Sequence, residues 1–295
     1  MSYSSTSELL KKVRKIEIKT RGLSNQLFSG EYHSAFKGRG MAFSEVREYQ
    51  HGDEIRTIDW NVTARFNHPY VKVFEEEREM TVMILVDVSG SGYFGTQQKS
   101  KQELATELCA VLSFSAIQNN DKVGVIFFSD KIEKFIPPKK GKSHILMIIR
   151  HLIDFEPESK GTNIELAIKY LNNVIKRRAT TFIISDFIAK YNYEDALKIA
   201  NKKHDIIVLQ LYDKAEENLP DLGLVPFLDA ETNQLNWINS SDKQVRKNYE
   251  LAFLKRKDKL KTIFKKAGVD SASIGTHQDY VKPLMTLFKK RGWES

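Results

Sequence analysis

Asp87, Ser89 and Ser91 stand at alternate positions in Asp87-Val88-Ser89-Gly90-Ser91, directly after the apolar run Thr81-Val82-Met83-Ile84-Leu85-Val86. An acid and two hydroxyls at this spacing are hard oxygen donors. Two more such donors stand far downstream: Thr162 in Lys160-Gly161-Thr162-Asn163, and Asp186 just after Thr180 to Ser185. Two carboxylates and three hydroxyls, with no nitrogen or sulfur, suit one Mg²⁺ ion, or Mn²⁺ or Ca²⁺, in octahedral geometry. Mg²⁺ gives up its waters reluctantly. The expected arrangement therefore has the hydroxyls bound directly, the acids reached partly through water, and one position open. Taken alone, the first triplet also describes a capped turn, because Asp and Ser satisfy free N–H groups there without any ligand.

For these five residues to meet, the chain must bring three loops to one edge. The run ending at Val86 has the pattern of a strand buried on both faces, as in the middle of a parallel sheet. Lys122 to Phe128, Thr180 to Ser185 and Asp205 to Tyr212 read as further strands of this kind, and Asp270 to Ile274 as a last one. Helices are expected over Lys101 to Gln118, with Leu104, Leu108, Val111, Leu112 and Ser115 on one inward face, and over Ser143 to Ile153, Thr162 to Ile175, Tyr193 to Ala200 and Tyr280 to Lys290. Ile132 to Ile136 reads as a short edge strand stopped by Pro137-Pro138. The alternation predicts an α/β fold with a doubly wound, mainly parallel sheet, whose ligands lie at the C-terminal ends of the strands. Leu222 to Ile238 interrupts the pattern and reads as a β-hairpin insertion, within about 213–240 and turning at Thr232-Asn233. A long helix follows, opened by Ser241 with Gln244 completing a capping box, and ends before Gly268.

Upstream, Ser7 to Thr20 fits a helix followed by a strand, and Gly22 to Pro69 reads as irregular, with turns at Gly38-Arg39-Gly40 and Gly52-Asp53. Tyr70 to Glu75 alternates as a half-solvated strand. The expected division is an N-terminal cap over 1–79 and a main domain over 80–295. Arg47, Arg56 and Arg65 are expected to pair with Glu48, Asp53 and Asp59, with Phe43, Ile55, Ile58 and Trp60 as apolar anchors. A docking surface for a partner is the competing reading of that block.

At this point the chain resembles known proteins. Asp87-x-Ser89-x-Ser91 with a distant Thr and a distant Asp is similar to the metal-ion-dependent adhesion site of von Willebrand factor type A domains. The stretches Gly38-Arg39-Gly40-Met41-Ala42-Phe43, Arg47-Glu48-Tyr49-Gln50-His51-Gly52-Asp53-Glu54-Ile55-Arg56-Thr57-Ile58-Asp59-Trp60, Ala64-Arg65 and Val71-Lys72-Val73-Phe74-Glu75-Glu76-Glu77-Arg78 resemble the signature of bacterial domain-of-unknown-function family 58 (DUF58). The resemblance implies a von Willebrand A-like fold and a metal site at Asp87, Ser89, Ser91, Thr162 and Asp186 whose open position accepts an Asp or Glu carboxylate from a protein partner. It also implies work beside a chaperone-like MoxR-type AAA+ ATPase. Gly92 departs from such sites, which usually carry a bulky residue, often Met, at that position.

Other chemistries fit less well. Gly90-Ser91-Gly92-Tyr93-Phe94-Gly95 matches a dinucleotide fingerprint, but the helical periodicity starts too late to offer its N–H groups to a pyrophosphate, and Asp87 would repel one. A metal-dependent hydrolase or phosphotransferase using Asp87 is the alternative from another class. It lacks a second acid two residues on and a base beside either hydroxyl, so no catalytic residue is expected. The seven histidines show no metal-ligand spacing, and Cys109 reads as a buried small hydrophobe. Hydrophobic residues make up 41% and charged residues 28%, which supports a sizeable core. One cysteine leaves no internal disulfide, and no apolar run reaches membrane-spanning length; a cytoplasmic setting follows as the expectation. The net charge of +8 is spread over 295 residues and is no nucleic-acid signature. The Lys- and Arg-rich helix near Lys255-Arg256-Lys257 reads as a solvated face, with a peripheral membrane or nucleic-acid surface as the competing reading.

Overall fold

The computed structural model describes residues 42–66, 68–75, 80–96, 99–189, 191–228 and 235–293. The expectations for Ser7 to Thr20, the Gly38-Arg39-Gly40 turn and the Thr232-Asn233 turn lie outside these residues. The chain divides into two compact units, one within 37–80 and one from Thr81 onward.

In the first unit, β1 (Ala42–Glu48) and β2 (Tyr70–Glu75) pair antiparallel, with a bulge between Phe43 and Glu45. Between them lie a 3₁₀ turn (Ile55–Thr57) and helix α1 (Trp60–Phe66). This corrects the irregular reading: the segment's many charges satisfy turns and helix starts instead of marking a loop. Asp53 takes a bidentate hydrogen bond from Arg47, at 2.7 and 2.8 Å, and the Gln50 N–H at 2.8 Å. Asp59 accepts from the N–H groups of Asn61 and Val62 in the first turn of α1, and its cationic neighbour is Lys72 at 3.4 Å, not an arginine. Ile55 and Trp60, expected as buried anchors, are exposed.

The second unit is built on one six-stranded sheet. Its strands are β3 (Thr81–Asp87), β4 (Lys122–Phe128), β5 (Ile132–Lys139), β6 (Thr180–Ser185), β7 (Asp205–Tyr212) and β10 (Asp270–Gly275), in the spatial order β10-β7-β6-β3-β4-β5. All neighbours are parallel except β5, the antiparallel edge. Helices α2 (Lys101–Gln118), α3 (Lys142–Ile153), α4 (Ile164–Val174), α5 (Glu194–Lys203), the short α6 (Lys214–Glu217), the long α7 (Lys243–Ala267) and α8 (Val281–Trp293) complete the unit, with a hairpin of β8 (Leu224–Leu228) and β9 (Leu235–Asn239) inserted before α7. This is the doubly wound, von Willebrand A-like arrangement.

The strands are central because both of their faces are covered. Met83, Leu85, Ile183 and Val208 pack with Leu171 of α4, Leu197 of α5 and Leu260 and Phe264 of α7. On the other face the Phe182 ring meets Phe288 of α8 edge-on. Val82 to Val86 are 0–1% exposed, and each such apolar side chain contributes about 1.5–3 kcal/mol by leaving water. Helix α2 is not amphipathic as read: thirteen of its eighteen residues are buried, Cys109 among them. It lies against β3, β4 and β7 with α3 packed on its outer side through Ala110, Phe114, Ile145 and Ile149. Burial pushes the Cys109 thiol up to about 12, which leaves it inert as a nucleophile.

Two more local readings need correction. β5 runs through Pro137 and Pro138 instead of stopping before them. The register jumps there, from Val123↔Lys139 to Val125↔Ile136, so both prolines lie in a bulge opposite Gly124, where no ladder N–H is needed. The N-cap of α7 is Asp242, whose carboxylate accepts from the Gln244 N–H at 2.7 Å, and not Ser241.

The bulge demands glycine at 124. A Cβ there would stand 2.8 Å from Met83 Sδ, 2.9 Å from Pro138 N and 3.0 Å from Ile136 O. Gly124→Ala is expected to destabilise the protein by about 1–3 kcal/mol, read as a lower midpoint in urea unfolding. His204, fully buried after α5, takes the Ala179 N–H on Nδ1 and leaves Nε2 without a partner. Burial, with Lys203 and Arg178 nearby, lowers it to about 4. The unfolded chain then binds this proton first, so stability is lost as pH falls below about 6.5. The stability advantage of the wild type over His204→Gln is expected to shrink by about 2 kcal/mol between pH 7 and pH 5, measured by urea unfolding at both.

Candidate metal centre

Parallel pairing sets where the side chains arrive. Asp87, the last residue of β3, is in register with Phe128 of β4, and Val86 with Ile184 of β6, so β3, β4 and β6 end together. The chain leaves β3 toward β4 but leaves β6 toward β7, so the two strand ends diverge and leave a crevice at the switch point. Asp87 and Asp186 stand at its two sides, and both line it together with Ser91, Lys101 and Ser185.

Backbone hydrogen bonds fix the loops around it. Val88 N–H donates to Phe128 O at 2.9 Å, Gly90 N–H to Lys160 O at 3.0 Å and Asn163 N–H to Ser129 O at 2.8 Å. The loop after β3 is thereby tied to the segment carrying Thr162. Gly90 to Tyr93 forms one 3₁₀ turn, and α2 begins only at Lys101, behind a complete capping box of Ser100 and Glu103. The glycines of this loop shape a turn, and no helix N-terminus opens within the Gly90 to Gly95 stretch. Asp213, at the end of β7, stitches the same loop from the other side. Its carboxylate accepts from the Thr96 and Thr276 hydroxyls, each at 2.5 Å, and from the Ala215 N–H at 2.9 Å.

All four of Asp87, Ser89, Thr162 and Asp186 are buried, and Ser91 is half-buried. The carboxylate of Asp87 accepts from the Ser89 N–H at 3.0 Å and from the Ser185 hydroxyl at 2.6 Å. The Ser89 and Ser91 hydroxyls are 3.0 Å apart. Thr162 lies one residue before Asn163, whose side chain caps α4, so it stands in the loop that opens the helix, and the helix itself starts at Ile164, two residues later than the Thr162 to Ile175 span expected. Its Oγ1 is buried and has no hydrogen-bond partner. Burial first, and then the negative charge of Asp186, push the Asp87 carboxyl up to about 6 against the pull of its Ser185 and Ser89 hydrogen bonds. The two acids are therefore close enough to repel.

Sequence reasoning missed three participants. Ser185 stands one residue from a predicted ligand, but its hydroxyl offered no pattern of its own. Lys101 reaches the site from the first turn of α2 and places Nζ 2.6 Å from Asp186 Oδ2 and 2.7 Å from Glu216 Oε1. Glu216, in α6, lies 115 residues away in sequence. Burial pulls the Lys101 ammonium down, but Asp186 and Glu216 outweigh it and hold the pKa above the ordinary value. Among the described residues no group of three or more His, Cys, Asp or Glu is gathered as a metal cluster; the donors expected from the sequence are two acids and three hydroxyls. A larger groove of about 700 Å³ runs between β10 and α8, away from this chemistry, and is lined by residues such as Ser271, Ser273, Gln278 and Lys282.

Comparison with known proteins follows the same lines. The chain is 26% identical over 281 residues to an uncharacterized protein of Mycobacterium tuberculosis strain H37Rv, covering 95% of this chain and 88% of that protein. An aerotolerance-related membrane protein from Bacteroides fragilis superposes with a TM-score of 0.50 at 18% identity, over 73% of this chain and 100% of that one, which speaks for the fold. The VWA domain of SpRpn10 matches 72% of this chain and 95% of its own at a TM-score of 0.39 and 12% identity. Among the described residues no helix is long and apolar enough to cross a membrane. The family model described as protein of unknown function DUF58 matches residues 45–259, which take in every residue of the candidate centre, and the chain belongs to the DUF58 family.

Proposed function

We propose that the chain is a protein-interaction module whose Asp87 cluster holds one divalent cation, Mg²⁺ (or Mn²⁺ or Ca²⁺), and docks a carboxylate of a protein partner. The observation that carries this is the buried, unpartnered Thr162 Oγ1 on the same sheet edge as two mutually repelling acids. A buried hydroxyl without a partner is costly, and so are two like charges in a crevice. One hard cation answers both. Ser89, Ser91 and Thr162 would supply hydroxyl oxygens, while Asp87, oriented by Ser185 and the Ser89 N–H, and Asp186 would hold the ion or its waters. When bound, the ion supplies a Lewis-acidic position that a partner's Asp or Glu can enter.

The electrostatics favour an acidic partner. Helix α7 carries ten Lys and Arg against two acids, while the rest of the chain holds 36 of each sign. The whole net charge of +8 thus resides on this one helix. Its Arg256 stands 3.8 Å from Glu216, at the rim of the site. Such a field steers acidic surfaces toward the centre and raises the rate of encounter. A MoxR-type AAA+ ATPase as the machine this module serves is what the family resemblance implies, and a reducing, cytoplasmic setting is the simpler reading of a chain with one cysteine.

Mg²⁺ or Mn²⁺ is expected to raise the melting temperature of the wild type, and the paired change Asp87→Ala with Ser89→Ala to abolish that shift. Absence of any cation response in the wild type would remove the metal reading. A pull-down with and without EDTA then reads whether a partner is held through the ion. In the same preparation, Mg²⁺-dependent phosphoester turnover that disappears in Asp87→Asn would replace docking by hydrolysis.

A further inference from the structure

Lys101 is in an unfavourable place twice over. It is the first residue of α2, where the helix dipole disfavours a cation, and its side chain is 3% exposed. Its backbone is pinned there by the Ser100–Glu103 capping box and by the Lys101 N–H to Phe94 O bond of 3.1 Å. The ammonium meets the Phe94 ring 5.9 Å from its centroid, Asp186 Oδ2 at 2.6 Å and Glu216 Oε1 at 2.7 Å. The other Asp186 oxygen accepts the Ile188 N–H at 3.0 Å. Each Asp186 oxygen therefore has one strong partner, and one of the two partners is a cation. A side chain this costly to bury at this position has a task that its own helix does not explain.

The charges indicate the task. Asp186 and Glu216 share the one buried ammonium, with Arg256 3.8 Å from Glu216 at the rim, while the Asp87 carboxylate is held by the neutral Ser89 N–H and Ser185 hydroxyl, so the crevice keeps negative charge for a divalent ion to meet. Lys101 and such an ion would share Asp186, while Glu216 gives the ammonium a second seat at the crevice wall. We infer that Lys101 is the built-in counter-cation of the centre: it holds Asp186 in position when no divalent ion is bound, and it sets the divalent affinity by competing for that carboxylate, with Glu216 retaining the ammonium when the ion enters. This rests on the metal reading above and adds to it the residues that tune the affinity.

A plain structural ion pair predicts something different from a competitor. Removing a structural pair lowers stability and leaves ion affinity alone. Removing a competing positive charge tightens ion binding even as the metal-free protein becomes less stable. The test is calorimetric titration of the full chain with MgCl₂ and MnCl₂, with melting curves in EDTA alongside, for wild type, Lys101→Met and Glu216→Gln. The expected result is binding tighter by at least about tenfold in Lys101→Met, and weaker binding in Glu216→Gln, where the ammonium is left to Asp186 alone. Binding seen in Lys101→Met but not in wild type would support the inference in its strongest form. Equal or weaker binding in Lys101→Met, with wild type binding normally, overturns it while leaving the metal site standing. If Lys101→Met does not fold, unchanged affinity in Glu216→Gln overturns it. Binding in none of the three removes the metal reading and this inference with it.

Discussion

Negative charge confined in a crevice at the end of a parallel sheet is the constraint on which the rest depends. Asp87 and Asp186 arrive there because β3 and β6 are neighbours in register, and no local rearrangement of either strand can separate them without breaking the sheet. In water two neighbouring carboxylates would repel weakly, but burial strengthens the repulsion and removes the solvent that would screen it. The protein answers with directed donors. The Ser89 N–H and the Ser185 hydroxyl serve Asp87, and the Ile188 N–H and the Lys101 ammonium serve Asp186. These satisfy hydrogen-bonding capacity more fully than charge, and the Asp87 carboxyl, pushed up to about 6, registers the remainder.

The scaffold is stiff where the crevice needs it to be. The loop that carries Ser89 and Ser91 is tied by a main-chain hydrogen bond to the one that carries Thr162, and that one to the loop after β4, while Asp213 fastens the far side through two threonine hydroxyls. Behind the loops, α2 is buried almost all round, so Lys101 projects from an element that cannot tilt away. A site built on fixed strands and a core helix keeps its donors in place before any ligand arrives, which lowers the ordering entropy of binding.

What was legible in the sequence and what was not divide along the range of the interaction. β3, β4, β6 and β7 were readable because a strand buried on both faces leaves a largely apolar run; β4, β6 and β7 have the bounds expected, and β3 runs one residue past its apolar run to take in Asp87. Asp87, Ser89 and Ser91 were readable because three donors share one turn. The bulge at Pro137-Pro138 was not, because what admits the prolines is Gly124 on another strand. The all-round burial of α2 was hidden by Thr106 and Ser113, small polar residues that can be buried at modest cost but dilute an apolar pattern. Lys101, Glu216 and Asp213 were invisible for a stronger reason. Their partners lie 85, 115 and 117 residues away, and nothing in a local window distinguishes a lysine that will neutralise a buried acid from one that will face solvent.

The placement of positive charge extends the same logic outward. A chain with 46 basic and 38 acidic residues looks only mildly basic, yet the excess is gathered on α7, whose apolar stripe of Phe253, Leu260 and Phe264 is turned inward. Charge on an exposed helix is screened beyond roughly 8 Å at physiological ionic strength, so it contributes little to holding a partner and much to orienting its approach. A carboxylate seated in a dry crevice has the opposite character, strong at contact and absent at distance. A surface that joins the two through the contact between Arg256 and Glu216 would, on the function proposed above, separate capture from commitment. The helix would gather acidic surfaces in general, and the crevice, with its cation bound, would retain only those that present a carboxylate to the ion.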